Sequence, residues 1–266
     1  MECRVAYLRP GQIQERLAAV PVAYLPIGPL EWHGPHLPYG VDPLNAEHTA
    51  LAVCARTGGL VWPTQFWGTE RERSDAQLQS LGLPPGQYIV GMDFPAHSLP
   101  SAYCQEEVFA LVIRELLRQM KLVGVERVVI INGHGATNHG IVLHRLAAEM
   151  THAGLPVHVR MAMPLERIKA GSIGHASSDE TSLVMHLLPG AAELRELPPL
   201  DVPLSYERFG IVDGPGFDGA GPADKAVPAH DAPRRQSSAQ AGQSLFDQTV
   251  GEIAREVRNL LASAGS

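Results

Sequence analysis

The apolar positions of the chain fall into short runs separated by longer helical patterns. Residues 21–28 form an apolar run that ends in glycine, residues 59–62 form a second, and residues 127–132, RVVIIN, form a third that is rich in β-branched side chains. Short runs of this kind are typical of strands that are buried on both faces of a parallel sheet. We predict strands in these three segments and a fourth at 156–161.

The segments between the strands carry the three- and four-residue spacing of amphipathic helices. From residue 43 to residue 57 the pattern is helical, with Asp42 and Pro43 at the positions expected for the N-cap and the first helical residue. Residues 105–123 repeat apolar side chains at fourfold spacing, and Gly124 follows as a typical helix stop. Further helices are predicted at 141–151, 179–188 and 244–262.

Strands that alternate with helices at this spacing predict an α/β fold, in which a mostly parallel central sheet has helices on both faces. No repeat or low-complexity linker divides the chain, so we expect a single domain over residues 1–266. Residues 63–100 are longer than an ordinary connection, which favours a role in forming a site. Residues 189–236, rich in proline and glycine, are compatible with an ordered loop that wraps the domain, a subunit contact or a mobile lid.

The composition narrows the class of protein. The 266 residues, 45% hydrophobic and 18% charged, suit one large globular domain. A formal net charge of −7 provides no basic surface for nucleic acid. No apolar stretch reaches the roughly 20 residues that span a bilayer, and the N-terminus lacks an apolar signal core, so we expect a cytoplasmic location. Three cysteines without CxxC spacing predict neither a disulfide framework nor a zinc knuckle.

Side chains of the kind that bind metals follow two of the predicted strands and occur again near residue 180. They are Glu31, His33 and Asp42 after the first strand, His134 after RVVIIN, and His175 and Glu180 in the segment GHASSDETS. Ligands of open parallel sheets bind beyond the carboxyl ends of the strands, where such loops converge. Carboxylates together with imidazoles suit Zn, Mn or Fe, and a carboxylate such as Asp42 can bridge two ions. A pair of ions that activates water indicates a hydrolase.

Three segments in this order and spacing, LPIGPLEWHGPHLPYGVD, NGHGATN and GHASSDETS, resemble the creatininase (creatinine amidohydrolase) family of dinuclear-metal hydrolases. The resemblance implies a three-layer α/β/α sandwich and a homo-oligomer that is often a hexamer. It also implies a small-molecule substrate and two divalent ions in each chain, Zn, Mn or Fe. The implied reaction is hydrolysis of a C–N bond in a small cyclic amide or a formamide, by attack of metal-bound hydroxide.

The resemblance assigns a role to each matching side chain. Glu31 and His134 match the ligands of one metal, and His33 and Glu180 match those of the other. Asp42 matches the carboxylate that bridges the two metals. Candidates for contact with the substrate, or for support of a ligand, are Trp32, His36, Gly135, Ala136 and Asn138.

His175 matches the residue that acts as acid or base beside the metals and passes a proton to the leaving nitrogen. In creatininases proper, a tryptophan four residues before this histidine closes over creatinine, and a glutamate two residues after the histidine of the turn helps to hold one metal. Here these positions are Gly171 and Ala136, which argues against creatinine itself as the substrate. Amides, formamides, small peptides, C–C cleavage of a ring, and a metal-binding module without turnover all stay open.

The candidate ligands also have ordinary structural interpretations. Asp42 before a proline can cap a helix, and Ser177 with Glu180 forms the S-x-x-E pattern of a capping box. The turn around His134 can be a tight strand-to-helix connection in which the histidine has no role. The three motifs together favour the metal interpretation over each of these alternatives.

The aromatic and basic residues near the motifs leave two questions open. Trp62, Phe66 and Trp67 are candidates for the core, whereas Trp32 lies between two predicted ligands and is as well suited to a substrate surface. The charged stretch ERER at 70–73 is typical of a solvated face. Arg71 or Arg73 could instead bind an anionic group of the substrate.

Overall fold

The computed structural model describes residues 2–169, 174–212 and 232–263. Within these residues four strands form one sheet in the order β2-β1-β3-β4, and every neighbouring pair is parallel. The strands are β1 (Val22–Ile27), β2 (Leu60–Val61), β3 (Arg127–Asn132) and β4 (Val157–Met161). All four lie in the predicted segments, and the predicted α/β class with a parallel central sheet is confirmed.

Helices make up about half of the described residues that lie outside the strands. They are α1 (Pro10–Ala19), α2 (Val41–Thr57), α3 (Asp75–Ser80), α4 (Glu106–Val123), α5 (Thr137–His152), α6 (Leu165–Lys169), α7 (Ser178–Leu187), α8 (Tyr206–Phe209), α9 (Ala232–Gln236) and α10 (Ala239–Ala262), with 3₁₀ turns at Val5–Tyr7 and Leu194–Glu196. Helix α4 ends as predicted, because Gly124 adopts the left-handed conformation with φ of 101°. Helices α5 and α10 begin earlier than predicted, since their first turns are mostly polar or small.

Successive side chains of the central strands enter two separate apolar clusters. On β1, Leu25 packs in a cluster with residues of α4 and α5 such as Ile113, whereas Tyr24 packs with residues of α2 and α10 such as Val53. Both faces of β1 are therefore buried, which explains its continuous apolar sequence. The sheet lies between two helical layers, and the carboxyl ends of its two central strands open into loops.

Helix α2 begins at Val41, with Gly40 as its N-cap. The prediction that Asp42 caps this helix is therefore wrong. The Asp42 carboxylate lies instead near the rings of His33 and His134, which leaves it available for a site. A negative side chain in a first helical turn is also favoured by the helix dipole.

The long stretch at 63–100 returns to the carboxyl edge of the sheet and contributes an apolar cluster of its own. Phe94 lies in this cluster and packs against Tyr206 of α8. Trp62 packs against the α4–α5 side of the core. The core prediction is wrong for Phe66 and Trp67, which are 53% and 51% exposed.

Two expectations fall wholly or partly outside the described residues. Gly171 is one of them, and residues 213–231 make up a large part of the stretch for which a loop, a subunit contact and a lid stay open. None of the helices in the described ranges is both long enough and apolar enough to cross a membrane.

Candidate metal centre

The predicted ligands come together beyond the carboxyl ends of β1 and β3. Glu31 and His33 lie in the loop after β1, Asp42 lies in the first turn of α2, His134 follows β3, and Glu180 lies in the first turn of α7. All five are buried. A buried group of three carboxylates and two imidazoles is costly unless cations or hydrogen bonds compensate the charges.

Two glycines allow these loops to approach each other. A Cβ atom at Gly133 would lie 2.2 Å from the carbonyl oxygen of Asp42, and one at Gly28 would lie 2.7 Å from the Asp42 Cβ. The side chain of Asn132 holds the turn, since its Oδ1 accepts from the His134 N–H at 3.0 Å and its Nδ2 donates to the His134 carbonyl at 2.7 Å. The backbone at the ends of both strands thus fixes Asp42 and His134 next to each other.

The two oxygens of Asp42 face two different groups of ligands. Oδ2 lies 3.0 Å from His134 Nδ1, and Glu31 Oε2 lies 3.3 Å from the same nitrogen. Oδ1 lies 3.2 Å from His33 Nε2, which is 3.8 Å from Glu180 Oε2. In each group of three residues the candidate ligand atoms are within 4.8 Å of one another. Each group can hold one metal ion, with Asp42 shared between them.

The orientation of His33 fits a cation. Its Nδ1 donates to the Glu31 carbonyl at 3.1 Å, so a neutral ring carries its lone pair on Nε2. That nitrogen is buried without a hydrogen-bond partner and faces the carboxylates. Lone pairs that face one another require a proton or a metal between them. Burial lowers the pKa of His33, but the carboxylates of Asp42 and Glu180 outweigh burial and raise it to about 10.

The carboxylates compete for the positive charge of the two histidines. Burial opposes ionisation of Asp42, but His33 and His134 hold its pKa below the usual range. Burial dominates at Glu180, whose pKa rises to about 8 although His33 opposes the shift. Without a metal, two imidazolium rings therefore provide the cations that this cluster needs. The donor set of oxygens and imidazole nitrogens fits Zn or Mn as a replacement.

Glu180 does not form the capping box that its sequence pattern allows. Its Oε2 accepts from the Ala176 N–H at 2.6 Å, and the hydroxyl of Ser177, the N-cap of α7, is buried without a hydrogen-bond partner. Ala176 itself has φ of 49°, which is unusual for a residue other than glycine. Strained backbone of this kind is concentrated at functional sites. Here it lies between His175 and the helix that carries Glu180.

His175 lies against the same group of residues. Its Nε2 donates to the Trp32 carbonyl at 2.6 Å, which fixes the tautomer and turns Nδ1 to within 3.9 Å of Glu31 Oε2. Its ring is 4.1 Å from the ring of His33. Burial, with His33 as a second cause, lowers the pKa of His175 to about 3. The ring is therefore neutral at neutral pH, and because Nε2 carries the proton its lone pair is on Nδ1.

Tyr103 is a residue of this site that the sequence did not indicate. Its hydroxyl donates a short hydrogen bond to Glu31 Oε1 and accepts from the Met92 N–H at 3.2 Å. One carboxylate oxygen of Glu31 is thereby occupied, and the other faces His134. Tyr103 follows an irregular stretch with no motif, so only the unusual length of that stretch could have drawn attention to it.

The remaining candidates around the ligands have different surroundings. His36 Nε2 lies 3.0 Å from the Thr181 hydroxyl, next to Glu180, so His36 supports the first turn of α7. Trp32 is half-buried, stacks on His97 at 4.7 Å between ring centroids, and donates through Nε1 to the Phe209 carbonyl at 2.9 Å. Both residues border the site without belonging to either ligand group.

The turn after β3 combines open space with buried polar atoms that have no hydrogen-bond partner among the described residues, on His134, Asn138 and His139. A Cβ atom at Gly135 would meet no atom within 4 Å, and Ala136 is buried with only a methyl group. The Oδ1 of buried Asn138 has no hydrogen-bond partner among the described residues. The ring of His139, also buried, stands edge-on to that of His134 at 5.1 Å.

Comparison with known proteins identifies relatives of this chain. A sequence model of the creatininase family, described as creatinine amidohydrolase, matches residues 6–257. The chain belongs to the creatininase family. Creatinine amidohydrolase of Pseudomonas putida is 26% identical over 258 residues, which cover 89% of this chain and 88% of that protein. A crystal structure of creatinine amidohydrolase superposes with a TM-score of 0.67 at 22% identity, covering 97% of this chain and 98% of the other.

A second relative of this creatininase-family chain is named for a different reaction, removal of a formyl group. The 2-amino-5-formylamino-6-ribosylaminopyrimidin-4(3H)-one 5′-monophosphate deformylase of Methanothermobacter thermautotrophicus is 27% identical over 237 residues, covering 87% of this chain and 86% of that enzyme. The two relatives are thus named for a ring amide and for a formamide. The predicted family and its hydrolase class are confirmed.

Proposed function

We propose that this creatininase-family chain hydrolyses a small cyclic amide or a formamide with the help of two divalent metal ions. The observation that supports the proposal is the orientation of the Asp42 carboxylate. Its two oxygens face two different groups of buried ligands. The substrate classes follow the names of the two relatives. Related solved structures are described as a manganese creatininase and as a mutant creatininase of the Zn-Zn type, which favours Zn or Mn.

The proposed ligand assignment uses each side chain once except Asp42. Glu31 and His134 would hold one ion, and His33 and Glu180 would hold the other. When bound, such ions supply Lewis acidity to the substrate carbonyl and lower the pKa of bound water toward neutrality. Burial of the ligands excludes competing water and strengthens every electrostatic interaction in the site.

His175 is the proposed acid and base. Its Nε2 is committed to the Trp32 carbonyl, so its Nδ1 is the nitrogen that faces the ligands and exchanges the proton. A neutral ring takes a proton from the attacking water and then gives it to the leaving nitrogen. Trp32 would both orient this ring through its carbonyl and border the substrate with its indole.

The proposal is tested by metal analysis combined with two substitutions. The protein, produced with Zn, Mn and Fe available, should contain about two metal ions per chain. His175→Ala should retain the metal and lose at least about 100-fold in turnover of a cyclic amide or formamide. Asp42→Asn should lose metal as well as activity. A protein that binds no metal, or a His175→Ala variant with full activity, would contradict the proposal.

A further inference from the structure

Arg73 carries a buried positive charge next to the candidate metal centre. The residue is 8% exposed, and no carboxylate oxygen of the described residues lies within 4.0 Å of its guanidinium. Arg71, two residues earlier, is exposed. Burial raises the pKa of Glu70 and Arg73 opposes this rise, so Glu70 is a nearby acidic group that forms no direct ion pair with Arg73. Because a buried charge without a direct ion pair is unfavourable, the position of Arg73 requires a further explanation.

The Arg73 side chain is held firmly on one side and open on the other. Its Nε donates to the Gly91 carbonyl and its Nη2 donates to the Tyr206 hydroxyl, both at 2.8 Å. The guanidinium carbon lies 5.3 Å from the ring centroid of Phe94 and 5.4 Å from that of Tyr206. The third nitrogen, Nη1, donates to none of the described residues and is not among the enclosed atoms without a partner. Neutral groups therefore fix the guanidinium, while one amino group reaches open space.

One route of direct contacts leads from Arg73 to Glu31. Gly91, which accepts the Nε–H, also packs against Tyr103, since a Cβ atom at Gly91 would lie 2.7 Å from the Tyr103 hydroxyl. That hydroxyl donates to the Glu31 carboxylate. Two residues, Gly91 and Tyr103, therefore lie between Arg73 and the proposed metal ligand Glu31.

A second route of contacts follows the aromatic rings. Phe94, beneath the guanidinium, stands edge-on to His97 at 5.4 Å, and His97 stacks on Trp32 at 4.7 Å. Trp32 lies between Glu31 and His33 in the sequence. The rings of Trp32, His97 and Phe94 therefore form a continuous row of contacts from the loop that carries Glu31 and His33 to Arg73.

The charges of the proposed centre favour an anionic partner. Two divalent cations would outweigh the three carboxylates by one positive charge, and Arg73 adds another within two residues. The planar guanidinium fork matches the oxygens of carboxylate and phosphate groups. We propose that Arg73 binds an anionic oxygen group of the substrate, a carboxylate or a phosphate, through Nη1, while the amide of that substrate lies at the metal centre. This inference rests on the proposed function and specifies its substrate class.

The test uses three formamides of matched length on the metal-loaded protein. N-formyl-6-aminohexanoate carries a carboxylate, N-formyl-5-aminopentylphosphonate carries a phosphonate as a stand-in for phosphate, and N-formyl-6-aminohexanamide is neutral. The ratio of the dissociation constants, measured by isothermal titration calorimetry, gives the preference for an acidic probe over the neutral probe. Product analysis of the same samples shows whether each probe is hydrolysed. Wild type should bind at least one acidic probe about tenfold more tightly than the neutral one. The two acidic probes distinguish a carboxylate from a phosphate group.

Arg73→Gln should abolish this preference, and Arg71→Gln is the matched control that should retain it. Arg73→Lys keeps a charge but loses the fork, so it should reduce the preference several-fold even if Arg73→Gln does not fold. Equal binding of acidic and neutral probes by wild type, no binding of either acid up to about 10 mM, or a wild-type preference in both Arg73 variants would overturn the proposal. Metal content of each sample separates this failure from failure of the metal centre itself.

Discussion

Gly133, which lies against Asp42, illustrates how a single residue determines the geometry of the centre. Replacement of Gly133 by alanine would place a methyl carbon 2.2 Å from a backbone oxygen of Asp42, and no flexible side chain can move away to relieve this contact. The turn that carries His134 must then shift from α2. Gly135, two residues later, has open space around the same position. The pair therefore separates the effect of close approach from the general effect of adding a side chain.

We expect Gly133→Ala to lower the free energy of unfolding by about 1–3 kcal/mol and to weaken metal binding, because overpacking forces backbone shifts. Gly135→Ala should change both quantities little. Thermal unfolding and metal titration of the two variants check the prediction. Equal effects of the two substitutions would show that the approach of Gly133 to Asp42 has no particular importance.

Tyr103 provides a second test at the level of one atom. Tyr103→Phe removes only the hydroxyl that occupies Glu31 Oε1, so we expect metal affinity to fall about 10- to 100-fold, as for the loss of other groups that orient a ligand. The absorption spectrum of a cobalt-substituted protein should also change, because Glu31 could then bind through both oxygens. The exposed Tyr88 supplies the control Tyr88→Phe. Unchanged affinity and spectrum in Tyr103→Phe would exclude an orienting role.

Among the helices, α7 and α10 are the pair whose packing bears most directly on the site. A Cβ atom at Gly242 of α10 would lie 1.9 Å from the carbonyl oxygen of Ser182 on α7. The close approach of the two helices depends on this glycine, and Glu180 lies in the first turn of the same α7. An element distant from the strand ends thus supports one ligand of the centre.

Gly242→Ala should lower the free energy of unfolding by about 1–3 kcal/mol and weaken metal binding, since α7 must move. Gly251 lies on the same helix with only Arg56 Nη1 near its Cβ position, at 3.9 Å. Gly251→Ala should therefore stabilise the protein by up to about 1 kcal/mol through helix propensity. Denaturant unfolding and metal titration of both variants test the contrast. Destabilisation of the same size in both would contradict the packing argument.

The sequence predicts elements well where burial is uniform and less well where local chemistry competes. β3 coincides with the run RVVIIN because both of its faces are buried. Helix α2 begins two residues earlier than its sequence predicts, since Asp42 faces the site and Gly40 takes the N-cap position. The metal motifs could be recognised because each is local in sequence. Tyr103 has no sequence signal, and the charged stretch 70–73 does not separate Arg73 from Arg71, because the positions of these residues depend on the path of an irregular segment.

On the scale of the whole molecule, metal binding must be linked to pH. Metal binding through His33 Nε2 requires the ring to be neutral, yet in the metal-free protein the carboxylates hold its pKa at about 10. The raised pKa means that His33 is protonated at pH 7 and must release that proton when the metal enters. At His134 burial lowers the pKa, but Glu31 and Asp42 raise it well above the usual value, so this ring is a second source of a proton. Burial places the pKa of Glu180 at about 8, so this carboxyl group is a third source. Metal affinity should consequently rise as the pH increases from 6 toward 9.

The number of protons that the ligands release on metal binding can be measured by calorimetry. Titration of Zn or Mn into the metal-free protein at pH 7, in two buffers with different enthalpies of ionisation, should give heats whose difference corresponds to the release of about two to three protons per chain, from His33, His134 and Glu180. The difference should decrease as the pH rises from 7 to 10, because Glu180 has then lost its proton and about half of the His33 rings are neutral. Equal heats in the two buffers at pH 7 would mean that the ligands are already deprotonated without metal. In that case the positive charge that stabilises three buried carboxylates would have to come from elsewhere in the chain.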